Sequence, residues 1–347
     1  MSSTESLTTP SLLSGTSLLS DIRLSMLDLV PTRTGYSTAD AIRESVAVAQ
    51  HVEQLGFERF WLAEHHNIEG IASSATAVLI GHIAGHTQRI RVGSGGIMLP
   101  NHPPLVVAEQ FGTLATMYPD RIDLGLGRAP GSDQATMRAL HRRPEDAEDF
   151  PQQVEQLQQL LGPMQHGQKL KAIPGADTNV PIWLLGSSLF SAQLAAQMGL
   201  PYAFASHFAP RMMLEAVNLY KNNFRPSATL AEPYVIIGVP VVVADTEQEA
   251  QLLATSGQQK ILALFRGQSL SLNPPVTSMD GHWLPHEQQG VEQFLSAAAI
   301  GAPKQVKAKL NALLAQTGAN ELMVVTDVYE QSARHHSLSL LAELAKG

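Results

Sequence analysis

Strand-like and helix-like segments alternate along almost the entire chain, and the strand-like ones repeatedly end in polar, cationic or imidazole residues. Arg59-Phe60-Trp61-Leu62-Ala63 runs into Glu64-His65-His66. The apolar stretch 91–99 runs into Pro100-Asn101-His102, and residues 122–126 run into Gly127-Arg128-Ala129-Pro130-Gly131. Packing alone does not explain functional side chains that recur just past strand ends. In parallel β/α folds the loops at those ends converge on one mouth, where such folds build their sites.

The rhythm predicts strands over residues 22–29, 59–63, 91–99, 122–126, 182–185, 202–205, 235–244 and 321–326, with a short extra strand over 169–174. Helices are predicted between them. The first covers 38–55, with Thr38 as N-cap and Gly56 as stop. Others cover 74–86, 105–118, 144–161, 210–224, 246–265, 290–298 and 303–317, one runs from Gly186-Ser187-Ser188 to Met198, and a last amphipathic helix ends near Ala345. Eight strands alternating with helices read as an α/β fold, an eight-stranded β/α barrel with insertion loops. A doubly wound sheet is the alternative. It calls for a glycine-rich turn after the first strand, where this chain has Pro31-Thr32-Arg33-Thr34-Gly35 instead.

Apolar residues make up 44% of the 347 positions, enough for one large core over residues 21–347. The net charge of -8, with no basic run longer than two, argues against nucleic acid as a partner. No apolar run is long enough to span a bilayer, so no membrane partner is expected. Residues 1–20 lack the basic start and apolar core of a signal peptide; they read as a disordered tail, and a cytoplasmic location follows by default. The absence of cysteine excludes a disulfide framework, a thiolate metal site and a cysteine nucleophile.

Arg128 follows the fourth strand between Gly127 and Gly131, where a planar guanidinium suits a phosphate. Gly186-Ser187-Ser188 follows the fifth strand at a predicted helix start, a second anion site built of free amides and hydroxyls. Two such sites on adjacent loops point to one phosphate held from both sides. A helix cap and a surface arginine are the plainer alternative. His65 can act as general base or proton donor, because imidazole titrates near neutrality. Asp28 ends the first strand and could line the mouth. His102 could join Glu64-His65-His66, but no H-E-x-x-H spacing occurs and no metal is expected.

The runs Phe60-Trp61-Leu62-Ala63-Glu64-His65-His66, Ile90 through His102, Ala108-Glu109-Gln110-Phe111-Gly112 and Arg121 through Gly131 together resemble the bacterial luciferase-like flavin monooxygenase family. Trp183-Leu184-Leu185-Gly186-Ser187-Ser188 and Ala298-Ala299-Ile300-Gly301-Ala302-Pro303 extend the resemblance over about residues 22–345. It implies a β/α barrel that uses reduced FMN from a separate flavin reductase, with molecular oxygen and a small organic substrate. It implies that Arg128 and Ser187 hold the FMN phosphate and that His65 takes the place of the luciferase catalytic histidine. A non-proline cis peptide against the flavin is also implied, with Ser73-Ser74 the candidate, and Asn101 is expected to reach the flavin ring or ribityl chain. Segment 266–289, with His282 and Trp283, is where a substrate lid is expected. A homodimer through helices 74–86 and 105–118 is implied too. A deazaflavin-dependent oxidoreductase and a non-catalytic flavin-binding protein are the alternatives. Two departures speak against light emission: the luciferase α subunit has a reactive cysteine that this chain lacks, and Gly186 replaces an acidic residue there.

Overall fold

Period-two patterning sorts each strand into one face for the helices and one for the interior. The computed structural model describes residues 18–129 and 133–346. Its strands are β1 (Arg23–Asp28), β2 (Arg59–Leu62), β3 (Arg91–Ser94), β4 (Ile97–Met98), β5 (Ile122–Gly127), β6 (Ile182–Gly186), β7 (Tyr202–Phe204), β8 (Val235–Val243), β9 (Ala299–Gly301) and β10 (Glu321–Val325). All pair in parallel, in the order β10-β1-β2-β3-β5-β6-β7-β8, and β10 pairs with β8 to close an eight-stranded barrel. β4 continues beside β5, and β9 extends β8 at its C-terminal end.

The helices are α1 (Thr38–Leu55), α2 (Thr76–His86), α3 (Pro104–Met117), α4 (Gln134–Ala139), α5 (Phe150–Leu161), α6 (Leu189–Met198), α7 (Met213–Asn223), α8 (Glu247–Phe265), α9 (Pro285–Phe294), α10 (Pro303–Thr317) and α11 (Gln331–Lys346). Outward residues such as Met26, Phe60, Leu62, Leu124, Ile237 and Val324 pack against this ring in one large core. Inward residues, including Leu27, Trp61, Trp183, Ile236 and Met323, form a separate cluster inside the barrel.

Several expectations are corrected in detail. No strand forms over 169–174; the stretch turns, and Ile173-Pro174 is cis. Ser37, not Thr38, caps α1, accepting from the Asp40 N–H while Asp40 accepts from the Ser37 N–H. The helix expected over 290–298 starts earlier, at Pro285, because proline suits a first helical turn. Of the expected tail, residues 1–17 lie outside the described residues, whereas Leu19 is fully buried in the core. Gly131 also lies outside the described residues.

The segment after α8 lies across the mouth. The Leu270 N–H donates to the Glu69 carbonyl and the Leu272 N–H to the Thr32 carbonyl, tying it to the loops after β2 and β1. Gly70 has φ +98°, and a Cβ there would meet the Leu270 carbonyl carbon at 2.2 Å, so the crossing needs glycine.

Candidate active site

A cavity of about 790 Å³ opens at the C-terminal ends of the strands. His65 follows β2, Gly95 and Gly96 follow β3, and Gly127 and Arg128 close β5. Gly186, Ser187 and Ser188 lie where β6 meets α6, and Ala205 and His207 follow β7. Val241 and Val242 come from β8, and Asp327 follows β10. Most of the remaining wall is aliphatic or aromatic.

Arg128 and the start of α6 converge. The guanidinium lies 4.0 Å from the ring centroid of Phe190, in the first turn of α6. Among the described residues it pairs with no carboxylate. Ser188 is the helix N-cap in extended conformation, and its side chain makes no capping hydrogen bond. The first amides of α6 therefore lack the side-chain acceptor that usually satisfies them. Gly186 is required locally, since a Cβ there would meet Ser191 Oγ at 2.1 Å.

The other predicted residues divide. His65 lines the cavity; its N–H donates to the Ser73 carbonyl (3.3 Å), and its Nδ1 is buried with no hydrogen-bond partner. Burial, with the Lys260 charge second, lowers its pKa below the ordinary 6.5. Ser73 is buried and Ser74 exposed, and neither lines the cavity; Ser73 acts on it only by holding the His65 backbone. The cis peptide expected at Ser73-Ser74 is found instead at Gly95-Gly96, on the cavity wall. Asn101 accepts from Arg142 Nη1 at 2.8 Å and is outside the wall.

Asp28 does not reach the mouth. It faces the helices, accepting from Ser45 Oγ of α1 (2.6 Å) and pairing with Arg334 of α11 (2.8 Å). Leu27, its neighbour, takes the inward position, and successive residues of a strand point to opposite faces. Trp283 packs beside Ile261, Leu262, Met279 and Val291, so the segment after α8 reaches the cavity through Leu270 rather than Trp283 or His282.

Glu64 organises the loop that carries His65. Its Oε1 accepts from His66 Nε2 (2.7 Å) and His102 Nε2 (2.8 Å), and its Oε2 accepts from the Met98 N–H (3.1 Å). Burial opposes ionisation, but hydrogen bonds from His102 and His66 outweigh it and hold the carboxyl at about 2. The same bond raises His66 above 6.5. The three potential ligand atoms lie within 4.8 Å of one another, a convergence that the spacing of the sequence does not display.

Four groups meet at the opposite side of the mouth. Lys260 of α8 pairs with Asp327 at 2.7 Å, and both line the cavity with His207 and His65. Burial lowers His207 to about 4. His207 packs against Gly238, where a Cβ would meet its Nδ1 at 2.3 Å, and that nitrogen is buried without a partner. His207 and Asp327 follow strands, so the strand-end rule could have found them; Lys260 sits inside a helix and gave no signal.

The family profile described as luciferase-like monooxygenase matches residues 22–321. The chain belongs to that family. A luciferase-like monooxygenase of Escherichia coli (strain K12) is 49% identical over 324 residues, 93% of this chain and 97% of that protein. Among solved structures, apo-MsnO8 superposes with a TM-score of 0.83 at 33% identity, covering 94% of this chain and 98% of that one. The oxygenating constituent of 3,6-diketocamphane monooxygenase of Pseudomonas putida, solved in complex with FMN, shares the fold with a TM-score of 0.70 at 18% identity over 93% of this chain and 97% of that one. Family membership makes this chain an oxidoreductase of the monooxygenase class built on a β/α barrel.

Proposed function

We propose that the cavity takes reduced FMN, with its phosphate between Arg128 and the first amides of α6, and that the enzyme oxygenates a small organic substrate beside it. The carrying observation is the Arg128 guanidinium, without a carboxylate partner among the described residues and stacked over the first turn of an α6 whose N-cap side chain is unengaged. A cation and a helix N-terminus aimed at one point fit a phosphate dianion. Ser187 and Ser188 add hydroxyls. Gly95 and Gly96 present bare backbone to a flat ring.

Reduced flavin, when bound, supplies the electrons that activate molecular oxygen. The chain's own residues do the rest. Leu27, Trp61, Met98 and Leu185 exclude water from the ring site. His65, kept unprotonated at neutral pH by its buried setting, accepts a proton at its free ring nitrogen. In this reading a separate reductase supplies the reduced flavin. A deazaflavin with a long acidic tail would need further cations, and Arg128 is the wall's one arginine among the described residues.

Val78 of α2 and Met117 of α3 are 72% and 59% exposed, which supports pairing of two copies through these helices. No helix among the described residues is long and apolar enough to cross a membrane.

Anaerobic titration with photoreduced FMN, read by tryptophan fluorescence, tests the cofactor. Saturable binding that is weakened in Arg128→Ala is expected; equal affinity in that variant refutes the phosphate assignment. Sedimentation of Val78→Lys as monomer and of the native chain as dimer tests the pairing.

A further inference from the structure

The cavity has two unlike ends. Arg128 and α6 occupy the β5–β6 side of the mouth. Across it, where β7, β8 and β10 end, His207, Lys260 and Asp327 stand with His65 in a wall otherwise made by Val241, Val242, Ile261, Leu264, Phe294 and Leu295. Lys260 is 9% and Asp327 25% exposed in their side chains.

The bonding at this end is incomplete. An ammonium has three N–H donors, and that of Lys260 gives one to Asp327 Oδ1. The Nδ1 atoms of both histidines are buried without partners among the described residues. Buried polar groups are nearly always satisfied, so this end calls for a molecule that both donates and accepts hydrogen bonds. Its charge, by contrast, is complete. Lys260 and Asp327 cancel, and burial keeps both imidazoles neutral at pH 7. The remaining charged groups of the wall, Arg128 and Asp133, follow β5 on the other side, and His66 is bound to Glu64.

We infer that this end is the substrate subsite, and that it selects an uncharged hydrogen-bonding head group, such as an amide, carbonyl or alcohol, on an apolar body. An ionic head would bring an uncompensated charge into a poorly solvated, already balanced site. A neutral head fills the open donors and acceptors at no such cost. This reading rests on the proposed function for the identity of the cavity and names the class of substrate it takes.

The test is calorimetric titration of the flavin-free protein at pH 7.5 with four probes of equal chain length: hexanamide, hexanol, hexanoate and hexylammonium. Hexanamide and hexanol should bind about tenfold or more tighter than either ion. In Asp327→Asn, which leaves Lys260 alone, hexanoate should become the preferred probe. In Lys260→Met, which leaves Asp327 alone, hexylammonium should. Should a single variant not fold, the double variant Lys260→Met with Asp327→Asn carries neither charge; it should reject both ions and bind hexanamide about fivefold or more weakly than the native chain. Equal or tighter binding of an ion by the native protein overturns the inference. So does an unchanged rank order in the charge variants, or no binding of the neutral probes. Neither flavin nor oxygen enters, so a protein that ranks the probes as expected yet fails to bind FMN refutes the cofactor reading alone.

Discussion

The two ends of the barrel are built to opposite rules. At the N-terminal end Arg59 donates through Nε to Glu321 and through Nη1 to Asp123, each at 2.7 Å. Ser25, Tyr234, Trp61 and Arg91 supply the remaining donors to those carboxylates. Each of these buried charges has a counter-charge, and the guanidinium stacks on Trp183 at 4.6 Å. At the C-terminal end, His65 and His207 leave buried nitrogens unpartnered and Arg128 has no counter-ion among the described residues. One sheet thus carries a plug of paired charges, beside which Trp183 Nε1 stays unpartnered among the described residues, and an open polar cup. A satisfied network holds a structure together, whereas unsatisfied groups mark where a second molecule is needed.

Breaking the plug should have the largest effect. Arg59→Met leaves Asp123 and Glu321 buried without their shared cation and should cost about 3–5 kcal/mol of stability. Denaturant unfolding would show it, and any loss of flavin affinity should follow the loss of folded protein. Next comes the Glu64 network, which belongs to the cup's rim. Glu64 is held at about 2, below its ordinary 4.5, so its contribution is present above pH 4.5 and is lost as pH falls from 4.5 towards 2. His66 is raised, so its share is present below pH 6.5 and fades as pH rises through its folded-state value. The unfolding free energy from urea titration should therefore drop by about 3 kcal/mol on acidification, and Glu64→Gln should flatten that slope.

Arg128→Ala should weaken FMN binding by about 1.5–3 kcal/mol with an unchanged melting temperature. That pairing of effects is the reverse of the Arg59 result and sharpens the contrast between the two ends. Phe190→Leu should do least. It removes the ring under the guanidinium and should weaken FMN by about 0.5–1 kcal/mol, measured in the same titration.

Much of this was legible in sequence, and the omissions have physical reasons. The barrel is legible in apolar segments at β/α spacing, and the position of Arg128, Ser187 and His65 on the cavity wall in their places just past strand ends. Asp28 ends its strand but faces outward; with Leu27 inward, the next residue must point away from the mouth. The cis bond at Gly95-Gly96 leaves no mark in residue identity once the flanking residues permit either placement. Lys260 lies in a helix whose first turns carry Glu247 and Glu249, so it reads as one more solvated charge. Only the barrel's closure turns that helix face toward Asp327, 67 residues later.

The outward pair that displaced Asp28 from the mouth bears on how the chain is made. Arg334 lies 306 residues after Asp28, and the strand that β1 needs on its second edge, β10, precedes it by only a few residues. During synthesis the first strand therefore emerges long before the partner that covers it. Until then it offers one unpaired backbone edge to whatever lies near the ribosome. The seam between first and last strands, clasped from outside by Asp28 and Arg334, sets the moment at which this protein stops being a growing sheet and becomes a barrel.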